Sequence, residues 1–383
     1  MTNEKSFRIA VESHDQYCAP FSDLMDNPQG GLFHKGGPSW NRWDDAGPER
    51  YHNNGKALDV FPNIDSAAVQ HLEGVNVWLG PQFNHFGHAI ADVATRYLAC
   101  SRVKDVSKFI VGDKITNSLG ALNNKVDSIL HWFDIDTSKV VVANRALHFD
   151  TLITFPQAEQ RTGIGPNEDY LNDLIEHQFK KIHKSENFDY GANVFVSRSR
   201  FKAHLAGEIF LERALMECGF RTMYPELLPL EEQLYIYASA SRLVFSEGSA
   251  LHALQLLGSI NSTVTVVVRR PNFKSSKHLI EPRVKQLQYL DPGVRLIHGS
   301  NRNGQPAPET GLAIPTFEGI TNCVAKIKGE SVKLNYLAFT ESVESDIKEW
   351  LLFESQQERF LHPNYKSILL DTTLAAGVNL QQF

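Results

Sequence analysis

Between residues 195 and 257 short apolar runs alternate with amphipathic stretches, and each run breaks off into polar residues. That alternation reads as strand, basic loop, helix, strand, helix, strand, glycine turn and helix, which leaves an open α/β sheet as the fold. Val194-Phe195-Val196 discharges into Ser197-Arg198-Ser199-Arg200-Phe201-Lys202, and Leu243-Val244-Phe245 into Ser246-Glu247-Gly248-Ser249-Ala250-Leu251-His252. Strand ends of such a sheet line one crevice, so the arginines and the glycine turn should meet there. A helix opening after the turn would aim its first backbone N–H groups at an anion, and a diphosphate is the natural guest.

Composition narrows the partners. A chain of 383 residues exceeds what one core usually serves, so two domains are expected. With 42% hydrophobic and 21% charged residues it has the balance of a globular protein. The net charge of −6 argues against a general nucleic-acid or anionic-membrane binder, so any phosphate site must be local. Cys18, Cys100, Cys218 and Cys323 lack metal-ligand spacing and read as free thiols. No apolar run approaches the roughly 20 residues that span a bilayer, and the first residues lack an apolar signal core. The expected location is the cytoplasm, with peripheral membrane association left open.

Along the chain, residues 7–11 suggest a first strand, and 18–63 an irregular segment whose Trp40, Trp43 and Tyr51 should pack onto the body rather than stack on a sugar. Strands are expected at 75–79, 109–111, 140–143 and 147–155, with helices at 86–100, 119–133 and 167–184. A polar linker at 184–193 leads to a second unit with helices at 208–218, 230–240 and 250–257 and strands at 221–224, 243–245 and 264–268. Residues 269–318 are too rich in Gly, Pro and Asn to assign, and 341–360 is a polar-faced helix. The expected domains are 1–185, on the acceptor side, 186–340, binding a nucleotide, and a helical 341–383, with a cleft between two lobes.

In the first lobe His88, Asp92 and Arg96 recur every four residues and would share one face of a helix. A carboxylate one turn from an imidazole raises its basicity, as a general base near neutral pH requires, although a surface pairing would look the same. In the second lobe Arg198 is placed for a bidentate phosphate contact, with Lys202 as a weaker candidate. Glu247 could accept from sugar hydroxyls, Gly248 and Ser249 let the backbone approach an anion, and His252 could donate to a phosphate or a departing oxygen. Tyr224-Pro225-Glu226 and Gln233 alone read as a strand stop and a helix-surface residue. Asp134-Ile135-Asp136 looks like the acidic motif of metal-dependent sugar transferases, but its place between a helix and a strand is explained by turn chemistry. No metal site is expected.

Taken together the segments resemble glycosyltransferase family 61, in the form found among bacterial capsule and surface-polysaccharide proteins. The resemblance rests on Phe86-Gly87-His88 with Asp92 and Arg96, on Phe195-Val196-Ser197-Arg198, on Gly219-Phe220 with Pro225-Glu226, on Glu232-Gln233 and Ala240, and on Glu247-Gly248-Ser249-Ala250-Leu251-His252. It covers about half the chain. Where the family commonly shows an arginine and then Asn-Glu, this chain has His204 and Gly207-Glu208, and Ala253 stands for an asparagine.

The resemblance implies a GT-B-like fold, two Rossmann-like doubly wound domains facing a cleft. It also implies metal-independent, inverting transfer of a hexosyl or pentosyl group to a saccharide acceptor, with no cofactor beyond a nucleotide-sugar co-substrate, a UDP-sugar being one candidate. The catalytic pair would be His88 and Asp92, and the donor set Arg198, Lys202, Glu226, Glu247, Gly248, Ser249 and His252. Two rivals remain at this point: a nucleotide-sugar hydrolase or epimerase, and a catalytically silent nucleotide- or glycan-binding partner of a polysaccharide assembly complex.

Overall fold

The computed structural model describes residues 37–40, 69–112, 120–160, 165–182, 190–272, 274 and 276–378, together with the backbone of short strands before residue 58. Trp43, Tyr51 and most of the 184–193 linker lie outside the described residues.

Two sheets carry the molecule. In the first, strands β1 (Ala10–Ala19), β2 (Gln70–Pro81), β3 (Val106–Gly112), β4 (Val140–Ala143) and β5 (Leu147–Thr154) lie in the order β1-β5-β2-β3-β4, with Gly37–Pro38 beyond β1. The strands β5, β2, β3 and β4 are parallel, and β1 runs antiparallel to β5. In the second, β6 (Asn193–Val196), β7 (Arg221–Met223), β8 (Arg242–Ser246), β9 (Ile260–Val267) and β10 (Val284–Leu290) are all parallel, in the order β7-β6-β8-β9-β10. The fold is mixed α/β with parallel sheets, as a Rossmann-like plan requires.

Each sheet has a point where its winding reverses. The chain lays β3 and β4 on one side of β2 and then returns β5 to the other side; likewise β7 and β8 flank β6. Ligands of open parallel sheets bind outside the carboxyl ends of the strands that border such a point. Here those ends release residues 82–85 and 155–160 from the first sheet, and 197–202 and 247–249 from the second.

Alternation along the strands explains how the sheets are covered. Val194 and Val196 enter one buried cluster while Phe195 enters another, and Val77 and Leu79 are likewise separated from Trp78. The first of these clusters is continuous across both sheets. It takes in helix α1 (Phe86–Ala91), α2 (Tyr97–Ser101), α3 (Asn124–Trp132), α4 (Glu168–Ile182) and α6 (Leu230–Ser239). The outer face of the second sheet is covered by α5 (Glu208–Glu217), by α8 (Phe317–Lys328), which follows a short helical turn α7 at Lys277–Ile280, and by the start of α9 (Tyr336–Ser355). A last helix, α10 (Pro363–Ala376), packs through Tyr365 and Leu369 against Ile297, Ile347 and Trp350.

Several expectations need correction. The helix expected at 86–100 breaks: α1 ends at Asp92, Val93 leaves helical geometry (φ −138°, ψ −54°), and a 3-10 turn at Ala94–Arg96 precedes α2. Val93 turns into the core beneath Gly80 and Arg96 is buried beside it, so the four-residue spacing of His88, Asp92 and Arg96 does not run along one continuous helix. The expected helix at 250–257 is a 3-10 helix, Ser249–Leu256. The region from 269 to 318 contains β10 and a small antiparallel pair, Arg295–Ile297 with Leu312–Ile314. Trp40 is buried against Trp78, Ile110 and Phe149, as packing demands. Asp136 accepts from Ser138 N–H at 3.0 Å and caps the 3-10 turn Thr137–Lys139, and Asp134 pairs with Lys181 at 2.6 Å. Cys100, Cys218 and Cys323 are free thiols. Among the described residues, no helix is long and apolar enough to cross a membrane.

Candidate active site

The two reversal points meet. Helix α1 rests directly on the 3-10 helix after β8, and a β-carbon on Gly87 would stand 3.0 Å from His252 Cδ2 and 3.1 Å from Ser249 Cβ. Only a residue without a side chain lets the two loops approach this closely. At their rim lies a cleft of about 510 Å³. Asn84, His85 and Phe86 wall it from the first sheet with Asn124, Lys125 and Ser128 of α3; Arg198, Phe201, Glu226, Gln233, Ser249 and Ala250 are among its walls from the second.

Arg198 leaves β6 and lies across the backbone at Gly248. A β-carbon there would overlap the guanidinium, with Cδ at 2.6 Å and Cζ at 2.7 Å. Gly248 itself is extended (φ 178°), so the glycine serves close approach rather than a left-handed turn. Nη2 donates to Ala203 C=O at 3.1 Å, and the guanidinium carbon sits 4.9 Å from the Phe201 ring centroid. Its Nε is buried without a hydrogen-bond partner among the described residues. Burial lowers the Arg198 pKa, with Arg270 adding to the effect, while Glu208, Glu247 and Glu226 oppose it. Behind it Arg269 is pushed down to about 10 by burial and then by the charge of Arg198.

The loop holding Arg198 is fixed by two buried carboxylates of α5. Glu208 accepts from Arg198 N–H (2.6 Å) and Leu205 N–H (3.2 Å), with Ser197 Oγ 3.1 Å away. Glu212 accepts from Ser197 Oγ (2.6 Å), Ser199 Oγ (2.5 Å) and Tyr224 OH (2.8 Å). His204 closes the loop, donating from Nδ1 to Phe201 C=O (2.6 Å) and from Nε2 to Asp346 of α9 (3.3 Å). Both partners can only accept, which is the geometry of an imidazolium. Burial opposes that charge, but the Asp346 hydrogen bond, Glu208 and the Phe201 carbonyl outweigh it and raise the His204 pKa. Asp346 also accepts from Gly207 N–H at 2.7 Å.

After Gly248 the first helical bond is Leu251 N–H to Gly248 C=O at 3.2 Å, so the N–H groups of Ser249 and Ala250 precede it at the cleft wall. Across from them His88 Nδ1 lies 2.5 Å from Asp92 Oδ2, with Asp92 buried and the His88 side chain 33% exposed. Gln157, leaving β5, donates to the Asp92 carbonyl. His85 stands in front, its ring centroid 4.8 Å from that of His88. Partial enclosure, then the charges of His88, His252, Lys125 and Arg198, hold the His85 imidazole well below the usual histidine range.

Of the residues singled out in the sequence, Arg198, Glu226 and Ser249 line the cleft and Gly248 underlies Arg198, whereas His88 and His252 stand behind the lining against His85 and Gly87, and Asp92 is buried behind His88. Two are not in the positions expected. Glu247 is fully buried, and its carboxylate takes Arg269 N–H (2.8 Å), Arg270 N–H (3.0 Å) and Arg270 Nε–H (2.7 Å). It therefore braces the loop after β9 instead of meeting sugar hydroxyls. Lys202 is exposed and lies over the Phe353 ring of α9 at 5.5 Å, outside the walls of the cleft. Glu226 pairs with Arg200 at 3.2 Å at the cleft's edge. Sequence reading passed over His85, Lys125 and Phe201, and of these His85 carried a signal, one residue beyond a strand's polar exit.

A family model described as Glycosyltransferase 61 matches residues 86–259. No curated protein matches the chain.

Proposed function

The chain belongs to glycosyltransferase family 61 over the matched residues, and on that premise we propose that it moves a hexosyl or pentosyl group from a nucleotide sugar to a saccharide acceptor with inversion. The observation that carries this reading is the guanidinium of Arg198 laid on Gly248 at one reversal point, facing the imidazoles of the other. An acceptor hydroxyl loses its proton to His88, whose ring is oriented by Asp92, and the alkoxide attacks the anomeric carbon as the bond to the diphosphate breaks. Charge growing on the departing nucleoside diphosphate is met by Arg198, by the Ser249 and Ala250 N–H groups and by His252. Lys125, on the opposite wall, adds a cation that the sequence reading did not use.

Fixed cations and amides, rather than a metal, support this departure. Neutral His85 offers sugar hydroxyls a hydrogen-bonding partner without adding charge. The two sheets act as the lobes of a GT-B-like enzyme, the second holding the donor, with surface-polysaccharide assembly on the cytoplasmic side as the setting.

Product analysis with radiolabelled UDP-sugars and an oligosaccharide panel tests the reading. Label passing to the oligosaccharide with an inverted anomeric centre supports it. Donor consumed equally without acceptor would replace it with hydrolysis, and a retained anomeric configuration would overturn the single displacement.

A further inference from the structure

Behind His252 a series of buried groups crosses from one sheet's loops to the other's, and the reaction outlined above leaves it without a role. His252 Nδ1 is 2.7 Å from Gln255 Oε1, and Gln255 Nε2 is 3.0 Å from Glu159 Oε1. Glu159 receives Arg283 Nη1 at 2.8 Å and Nη2 at 3.1 Å, and Arg283 Nε donates to Leu257 C=O at 3.1 Å. Gln255 and Glu159 are 0% exposed and Arg283 is 1% exposed. Glu159 leaves β5 at the first reversal point, whereas His252 and Gln255 follow the second.

The chemistry of the series runs in one direction. A carboxylate paired with a guanidinium is ionised and only accepts, so Gln255 must turn its NH₂ toward Glu159 and its carbonyl oxygen toward His252. An amide oxygen also only accepts, and the ring proton is therefore held at Nδ1. The imidazole's lone pair is then at Nε2. Cδ2, the ring carbon beside it, is the heavy atom nearest to a β-carbon built on Gly87, so the Nε2 edge faces the loop that walls the cleft.

We infer that Gln255 and Glu159, anchored by Arg283, are positioning residues that fix His252 as the Nδ1–H tautomer and present its Nε2 to the reacting groups. A proton taken up from solvent at Nε2 before the donor bond breaks gives an imidazolium whose other N–H already has its acceptor. That is the form that donates to a departing phosphoryl oxygen. The catalytic consequence rests on the function proposed above; the tautomer does not.

The test begins with nitrogen NMR of the whole protein labelled with [15N]histidine, near neutral pH. His252 should show a protonated Nδ1 and an unprotonated Nε2. In Gln255→Met, which keeps side-chain length and removes both hydrogen-bonding groups, the resonance should shift toward a mixture of tautomers. With the UDP-sugar that supports turnover, kcat should fall by roughly 10²-fold with KM nearly unchanged. An Nε2–H tautomer in the unaltered protein would overturn the inference, and so would a folded Gln255→Met protein with unchanged resonance and rate. If that variant does not fold, the resonance of the unaltered protein decides alone. A protein that holds Nδ1–H at His252 yet transfers no sugar would leave the positioning assignment standing and remove the proposed reaction.

Discussion

The two loops that face each other across the cleft are built on opposite plans. On the side of the second sheet, Glu208 and Glu212 between them take hydrogen bonds from Ser197, Arg198, Ser199, Leu205 and Tyr224, and both are buried. On the side of the first sheet, Asn84 and His85 are exposed; Gln82 accepts from Asn123 N–H at 2.9 Å and donates to Ala121 C=O at 3.2 Å, and Asn84 accepts from Asn123 Nδ2 and Lys125 Nζ, so the loop is tied to α3 and its approach without a buried carboxylate. Stabilising a developing negative charge calls for donors that need no rearrangement, and admitting a bulky acceptor calls for a wall that yields. Under the function proposed above, the difference separates a preorganised anion site from a receptive one.

The largest effect should come from the buried ion pair that Glu159 and Arg283 form between the two sides. Glu159→Ala leaves the Arg283 guanidinium uncompensated in the core and should cost about 3–5 kcal/mol. Urea unfolding reads this directly, and a loss below about 1 kcal/mol would mean that the two sides are held by packing alone.

Next in size is the proposed anion site. Arg198→Ala should lower kcat by about 10²–10³-fold, the usual cost of removing one donor to a developing charge. Its fold should survive, since Glu208 and Glu212 hold the loop through other atoms. Near-normal turnover would take Arg198 out of the site and leave the tightly braced loop with no purpose at the cleft.

The smallest effect concerns the brace from α9. His204 has a folded-state pKa raised above its unfolded value, so its contribution is fully present below about pH 6.5 and is lost as pH rises through the raised value. The urea midpoint should therefore decline modestly from about pH 6.5 upward, and the decline should vanish in His204→Asn. Identical pH curves for the two proteins would show that α9 restrains the Arg198 loop by shape and not by charge.

What could be read from the sequence followed from period and punctuation. Val194-Phe195-Val196 and Leu243-Val244-Phe245 announce covered parallel strands because both faces are apolar, and their polar exits announce the crevice. The edge strand β10, Val-Lys-Gln-Leu-Gln-Tyr-Leu, has no such run; polar residues interrupt it, only Leu290 is buried, and it passes for loop. The break after Asp92 was hidden because local spacing favours a continuous helix, and only the burial of Val93 and Arg96 under β2 ends it. Glu159, Gln255 and Arg283 could not be associated at all, since their meeting depends on both sheets having closed. Glu247 is ambiguous for a similar reason: a carboxylate at a strand exit can look outward to ligand or inward to Arg270, and the sequence contains no sign of which.

His204 and Gly207 depart from the pattern of the family the chain resembles, and the structure gives both a partner in α9. Gly207 has left-handed backbone (φ 78°), and a β-carbon there would stand 3.0 Å from Val343. Together they dock α9 onto the loop that presents Arg198.

The unbroken apolar cluster that fills the space between the sheets has a further consequence. A pair of lobes joined by a wet hinge can swing, and each can melt at its own temperature. Here Val77 and Leu79 of one sheet share their dry surroundings with Val194 and Val264 of the other, with Trp132 donating from α3 to the Leu256 carbonyl at 3.1 Å. Heat would find no weak plane at which to halt, and breathing of the cleft falls to the short segments along its rim.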